Sequence, residues 1–417
     1  VRRTMGVATA RTADIAVTGL GVLSPVGLTP EANWAGLCRG RSVAAYDAEL
    51  AGLPVDFSCR VPGFDAAAEL GARWARRTDR FSQFAVAAAR RAVADAGLDP
   101  GAWDGERVGV VLGVGSNSLH TYTAEFRELN DDRPDRVSPL ALPRSVPNMA
   151  AGEVAMDLGA CGPGFTTASA CASGATAIGV ARDLLRGGAC DVVLAGGSES
   201  ACCRMSATCF ARLRALSRRT AEPELASRPF DADRDGFVLG EGAAVLVMER
   251  YAGARARGAR VRALLRGYGA TSDAHHPVAP LPDGSGAARA IRIALRDAEC
   301  APHEVGHVNA HGTSTRLNDA AEAAALSRVF GRHPPPVTAP KSVVGHALGA
   351  AGALEAAYTV LSLQHQVIPP IANFGYQDGD HKLDVVAGAP RRAAMSAAIT
   401  CSFGFGGHNA VLVFTTE

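Results

Sequence analysis

Gly162-Pro-Gly-Phe-Thr-Thr-Ala-Ser-Ala-Cys-Ala-Ser-Gly174 decides the reading of this chain. It joins a short strand-like run to the apolar, helix-like run 175–185, so Cys171 stands at a strand-to-helix turn. Backbone N–H groups at a helix start favour negative charge, which predicts a thiol that ionises more readily than a free one. Ala170, Ala172, Ser173 and Gly174 are small and leave room for a substrate carbonyl. A lone cysteine in apolar surroundings is ordinarily an inert core residue. Two later segments change that reading. Asn309-Ala-His-Gly-Thr-Ser-Thr315 and Lys341-Ser-Val-Val-Gly-His346 each place a histidine in a glycine-containing turn near an apolar run. One thiol and two such imidazoles form a constellation suited to acyl chemistry.

Outward from these segments, apolar runs alternate with amphipathic ones in βα fashion. Strands are predicted at 15–18, 108–112, 192–195, 243–248, 261–267, 397–401 and 411–414, and helices at 80–96, 172–186, 286–298, 319–330 and 349–363. Such alternation implies an α/β architecture with both sheet faces covered. Turns are punctuated by Gly and Pro, as in Ala279-Pro-Leu-Pro-Asp-Gly284 and His333-Pro-Pro-Pro336, and no internal repeat stands out.

At 417 residues the chain suits two lobes or one large duplicated domain. A net charge of +1 gives no general affinity for nucleic acid or membrane surfaces, and no apolar run reaches the ~18 residues of a spanning helix. Residues 1–13 read as a loose tail without the apolar segment of a signal peptide. Ten cysteines without a C-x-x-C spacing, Cys202 and Cys203 being adjacent, point to a reducing, cytoplasmic setting. His275-His276 has no third ligand at suitable spacing, so no metal is expected. Gly19-Leu-Gly21 and Gly113-Val-Gly115 do not complete a dinucleotide fingerprint.

The Cys171 turn, His311-Gly-Thr-Ser-Thr315, Lys341-Ser-x-x-Gly-His346 and Ser402-Phe-Gly-Phe-Gly-Gly407 together resemble the elongating β-ketoacyl-[acyl carrier protein] synthases. Ile15-Ala-Val-Thr-Gly-Leu-Gly21, Asp79-Arg80-Phe81, Pro229-Phe-Asp231 and Arg234-Asp-Gly-Phe-Val-Leu-Gly-Glu-Gly242 extend the likeness over 14–414. The resemblance implies a thiolase-like, duplicated five-layer αβαβα fold, with one half over 14–255 carrying the cysteine and the other over 256–417 carrying both histidines. It implies a Cys171-His311-His346 triad, with both imidazoles on the enolate oxygen and the amides of Cys171 and Phe405 on the second oxyanion. Phe405 would also gate the acyl pocket, and Thr313 and Thr315 would hold the pantetheine arm. Lys341 would order the site with Glu322 as its partner, leaving Glu355 a structural role. Leu140, Ala141 and Leu142 would border a roomy acyl tunnel at a dimer interface. Arg73, Arg76 and Arg77, with Arg212, Arg214, Arg218 and Arg219, would dock an acidic carrier protein.

No cofactor is expected beyond the carrier's phosphopantetheine, and the partners are acyl carrier protein and a second subunit. That subunit would be an identical copy or a chain-length-factor-like protein. A chain-length-factor-like scaffold role is disfavoured by Cys171 itself. The remaining choice lies between a type II polyketide pathway, including reduced or polyene chains, and primary fatty-acid elongation. Leu140-Ala-Leu142 favours the polyketide side. His408 after the double glycine departs from the family pattern, with no consequence assigned.

Overall fold

The computed structural model describes residues 14–116, 118–332, 334–379 and 382–417; the tail assigned to 1–13 lies outside them. Ten strands form one sheet: β1 Ile15–Leu23, β2 Val108–Gly113, β3 Gly164–Thr167, β4 Val192–Glu199, β5 Gly242–Arg250, β6 Ala263–Ser272, β7 Val305–Asn309, β8 Val337–Thr338, β9 Ala397–Gly404 and β10 His408–Thr415. Their order is β8-β7-β9-β10-β6-β1-β5-β4-β2-β3.

That order is a repeat. Numbered within each set of five, both β1–β5 and β6–β10 run 3-2-4-5-1. Strand 2 is parallel to strands 3 and 4, and strand 5 is antiparallel to strands 4 and 1, in both sets. The sets join where Ile15, Ala16 and Val17 pair with Leu265, Leu264 and Ala263.

Eight helices matter here: α1 Arg80–Asp95, α2 Leu119–Asn130, α3 Met149–Leu158, α4 Ser173–Arg186, α5 Arg204–Arg212, α6 Ser285–Asp297, α7 Arg316–Phe330 and α8 Ala351–His365. Period-two alternation sends successive apolar side chains to opposite faces of each strand. Ala243, Val245 and Val247 of β5 pack with α1 and α3 on one side. Ala244, Leu246 and Met248 enter the central layer with α4 and α8. On the other set, Val411 and Val413 of β10 pack against α6 and α7. The layers are therefore α1/α3, sheet, α4/α8, sheet and α6/α7, a thiolase-like duplicated fold.

The glycine pairs that resembled nucleotide loops have a packing role. A Cβ on Gly19 or Gly21 would lie 2.1 Å from Ala92 O or 1.9 Å from Ala88 O of α1. On the second set, Gly267 and Gly269 stand 2.2 Å from Ala294 O and 2.2 Å from Ala290 O of α6 on the same construction. In each half, the first strand and its outer helix approach backbone to backbone, which only glycine permits.

Candidate active site

Cys171 lies in a short 3₁₀ turn, Ala170–Ala172, between β3 and α4. Ala170 takes φ 50° there, a left-handed conformation that non-glycine residues rarely adopt. The turn is tied down by Ser173, whose Oγ donates to Ala170 O at 2.6 Å and accepts from Ser169 N at 2.9 Å. Gly113 and Gly404 leave no room for side chains against this turn.

His346 follows the helical turn Lys341–Val344. Its backbone bridges to Val238 O at 2.7 Å and Gly240 N at 3.0 Å, and its Nε2 stands 3.1 Å from Cys171 Sγ. His311 follows β7, and its ring lies 5.4 Å from that of His346, nearly perpendicular. Donor atoms of Cys171, His311 and His346 all fall within 4.8 Å of one another.

Lys341 fixes the tautomer of His311. Its Nζ donates to His311 O at 2.6 Å, reaches His311 Nδ1 at 3.2 Å and pairs with Glu355 Oε1. An ammonium has only donors, so Nδ1 accepts and the ring proton sits on Nε2. Burial, reinforced by the Lys341 charge and by His346, holds His311 well below the ordinary imidazole range. Burial and Lys341 do the same to His346. Both rings are neutral near pH 7.

Two expectations are corrected. Lys341 pairs with Glu355 of α8 and not with Glu322. Glu322 accepts from the N–H groups of His311 at 2.7 Å and Gly312 at 2.8 Å. Because α7 begins directly after the 311–315 turn, Glu322 folds back onto that turn's amides, while Glu355 reaches Lys341 from the central layer. Burial pushes Glu322 up to about 8 and Glu355 up to about 7, the latter despite Lys341. Second, Cys171 does not ionise readily. Burial pushes its thiol up to about 12, Lys341 opposing and the carboxylates of Glu199 and Glu355 reinforcing. Desolvation outweighs the helix start.

A cavity of about 500 Å³ opens from Cys171, His311 and His346 to the surface and is also lined by Thr313, Thr315, Phe405 and Arg214. Thr313 and Thr315 share a hydrogen bond of 2.9 Å. Phe405 lies in the tight β9–β10 hairpin, 6.2 Å from Phe210 of α5. His276 reaches the lining and accepts from Val278 N at 3.1 Å and Ala279 N at 2.9 Å. His408 is exposed and is not among the lining residues. Leu140 and Leu142 are exposed and Ala141 is buried, and none lines this cavity. Arg73, Arg76, Arg77, Arg212, Arg214 and Arg218 are exposed, while Arg219 is half-buried beside Asp235.

Glu199 is a site residue that the sequence reading missed. Buried at the end of β4, it accepts from Gly115 N at 2.8 Å, Ser116 Oγ at 3.1 Å and Gly349 N at 3.4 Å. It thereby pins the two halves together behind the thiol. An acid ending an apolar strand, in Gly196-Gly-Ser-Glu199, was the available signal.

A buried thiol beside two neutral imidazoles, with a cavity leading outward, defines a thioester-handling condensing site. Family models bear this out: residues 12–254 match "Beta-ketoacyl synthase, N-terminal domain" and residues 262–375 match "Beta-ketoacyl synthase, C-terminal domain". A 3-oxoacyl-[acyl-carrier-protein] synthase 2 of Synechocystis sp. is 42% identical over 96% of this chain and 97% of its own length. Its counterpart in Vibrio harveyi is 41% identical over 96% of this chain and 98% of its own. Among solved structures, the ishigamide ketosynthase/chain length factor superimposes with a TM-score of 0.91 at 36% identity, covering 97% of this chain and 99% of that one. The type II PKS ketosynthase complex AntDE:AntF gives 0.90 at 31%, with the same coverage. The chain belongs to the beta-ketoacyl synthase family. It is an acyltransferase-type condensing enzyme, a β-ketoacyl-[acyl carrier protein] synthase.

Proposed function

We propose that Cys171 carries the growing acyl chain, that His311 and His346 drive decarboxylation of a malonyl-type extender, and that the product belongs to a type II polyketide pathway. The observation that carries the site assignment is His346 Nε2 at 3.1 Å from Cys171 Sγ, beside a His311 ring oriented by Lys341. In the first step the Cys171 thiol gives its proton to His346 Nε2 as sulfur attacks the carrier's thioester. The pantetheine thiolate leaves and takes up that proton. With His346 neutral again, the malonyl carboxylate departs as carbon dioxide. The electron pair it leaves behind forms an enolate, whose oxygen accepts from both Nε2–H groups, His346 adopting the same tautomer as His311. The enolate carbon then attacks the Cys171 thioester, and the amides of Cys171 and Phe405 hold the oxyanion until sulfur is expelled. The expelled Cys171 thiolate takes up one proton from solvent, the proton that decarboxylation consumes overall, so the thiol is restored and this sequence calls on no cofactor or metal.

The pathway assignment is supported by the likeness to the ishigamide and AntDE ketosynthases. Primary fatty-acid elongation is the second reading, favoured by the 42% identity to the Synechocystis synthase 2. A carrier protein and a second subunit complete the proposal. Phe126, Leu140, Leu142, Met156 and Phe165 are 58%, 43%, 64%, 62% and 37% exposed. Of these, Phe165 lies in β3, the strand at the sheet edge. An open edge beside exposed apolar side chains suits a second copy or a chain-length-factor-like subunit. No helix among the described residues is long and apolar enough to cross a membrane, and we place the enzyme in the cytoplasm. Intact-mass analysis with a panel of acyl carriers tests the reaction: an acyl adduct on Cys171 and a chain two carbons longer are expected, and no adduct with any carrier would overturn it. Native mass and product profiling of the enzyme alone and with an added chain-length-factor-like subunit separate the pathways.

A further inference from the structure

The three reacting side chains also make a set of metal ligands. Sγ of Cys171 and one ring nitrogen each of His311 and His346 lie within 4.8 Å of one another, and all three residues are buried. Nδ1 of His311 faces Lys341 Nζ at 3.2 Å, so Nε2 is the nitrogen it offers to the other two. A tetrahedral zinc, with bonds of about 2.3 Å to sulfur and about 2.0–2.1 Å to nitrogen, sets these atoms about 3.5 Å apart. His346 Nε2 and Cys171 Sγ, now 3.1 Å apart, need separate only slightly. All three residues line the cavity of about 500 Å³, which leaves room for a water at the fourth position.

Thiolate and imidazole suit zinc, whereas magnesium and calcium take oxygen ligands. Buried Glu199 and Glu355 act on the thiol through their charge, and buried Glu322 holds the amides of His311 and Gly312. Opposite charge nearby offsets that of an arriving cation. Protons balance as well. The thiol proton goes to solvent as the sulfur–zinc bond forms, and His346 binds in the tautomer that takes this proton during loading. His311 releases its Nε2 proton to solvent, and Lys341 passes one of its own to Nδ1. The resulting amine still donates to His311 O and Glu355 Oε1, and its lone pair accepts from Nδ1–H. Two charges arrive and two protons leave, so the buried net charge is unchanged.

Resting on the reading of Cys171 as the residue that carries the acyl chain, we infer that Cys171, His311 and His346 bind a zinc ion that holds the unloaded enzyme inactive. Zinc and the acyl chain compete for one sulfur. A thioester has no thiolate to offer, so the loaded enzyme escapes the ion.

Cobalt(II), a spectroscopic stand-in for zinc, tests binding on the full chain without any turnover. A single equivalent should give a thiolate charge-transfer band in the near ultraviolet and the strong visible bands of a four-coordinate ion, and zinc should chase both. Cys171→Ala should lose the charge-transfer band while keeping the far-ultraviolet spectrum of the parent. His311→Ala should bind about 100-fold more weakly or worse, since a lost ligand costs no less than a lost outer-shell partner. Zinc should also block alkylation of Cys171 in the parent, read by peptide mass. No charge-transfer band in the parent would overturn the inference. So would a band persisting in Cys171→Ala, which would place the ion on another cysteine. Protein loaded beforehand with an acyl group should give no band, and a full band there would overturn the competition. Should Cys171 load from no carrier, the condensing reading fails while the cobalt bands still decide the metal site.

Discussion

The two halves of this molecule share a strand order and differ almost entirely in what hangs from the strand ends. Strand 3 of the first set leads through Cys171 into the central helix α4; strand 3 of the second leads through Lys341 and His346 to the central helix α8. After strand 2, the first half has Gly115 and the second His311. Between strands 4 and 5, the first half inserts residues 200–241 with α5, and the second turns within 405–407. Nucleophile and proton donors thus occupy related positions on opposite halves, and the site exists only where the halves meet. The scaffold fixes where loops converge, and the residues in those loops choose the chemistry.

Lys341 is where that comparison is easiest to break. Lys341→Ala removes the three contacts of a buried ammonium and leaves Glu355 alone, which should cost about 3–5 kcal/mol of stability. Urea denaturation checks this, and Lys341→Ala with Glu355→Gln should recover part of the loss. A single variant as stable as the parent would mean that the pair does not bind the second half to its site.

Glu199 sharpens the comparison from the other side, because it joins Gly115 of one half to Gly349 of the other. Burial raises its carboxyl to about 7 from an ordinary 4.5. A carboxyl raised on folding holds its proton more tightly in the native state, so its contribution is fully present below pH 4.5 and is lost as pH rises through 7. Relative to Glu199→Gln, the parent should lose about 3 kcal/mol across that window. Parallel stability curves for the two proteins would contradict this.

Smaller in energy, but direct, is the titration of Cys171. With its thiol pushed up to about 12, alkylation by iodoacetamide should rise about tenfold per pH unit from pH 7 to 10. A plateau near pH 7 would show that the helix start and Lys341 prevail over burial.

Much of this was legible in the sequence. The predicted strands fall inside β1, β2, β4, β5, β9 and β10 or overlap β6, because alternation and apolar runs report local burial. Both histidine turns and the Cys171 turn were visible as small-residue interruptions of such runs. The repeat came only through the family resemblance and not from the residues themselves, since strand order depends on pairings between segments far apart in sequence. In retrospect Gly19-Leu-Gly21 and Gly267-Tyr-Gly269 carried it. The choice between Glu322 and Glu355 was equally hidden: both are acids on helices, and only the placement of α8 in the central layer brings one of them to Lys341. The thiol's acidity was misjudged for a related reason. A turn reveals a helix start, but the depth of burial around it comes from the other half.

The division of labour between halves is tested most directly by following acyl mass and product in His311→Ala and Cys171→Ala, side by side. Since the imidazole in hydrogen-bond reach of the sulfur is that of His346, His311→Ala should still load the acyl group onto Cys171 and then stall, with condensation reduced by about 100-fold or more. Cys171→Ala should show no adduct at all while remaining folded. Normal condensation by His311→Ala, or an acyl adduct persisting on Cys171→Ala, would contradict the account.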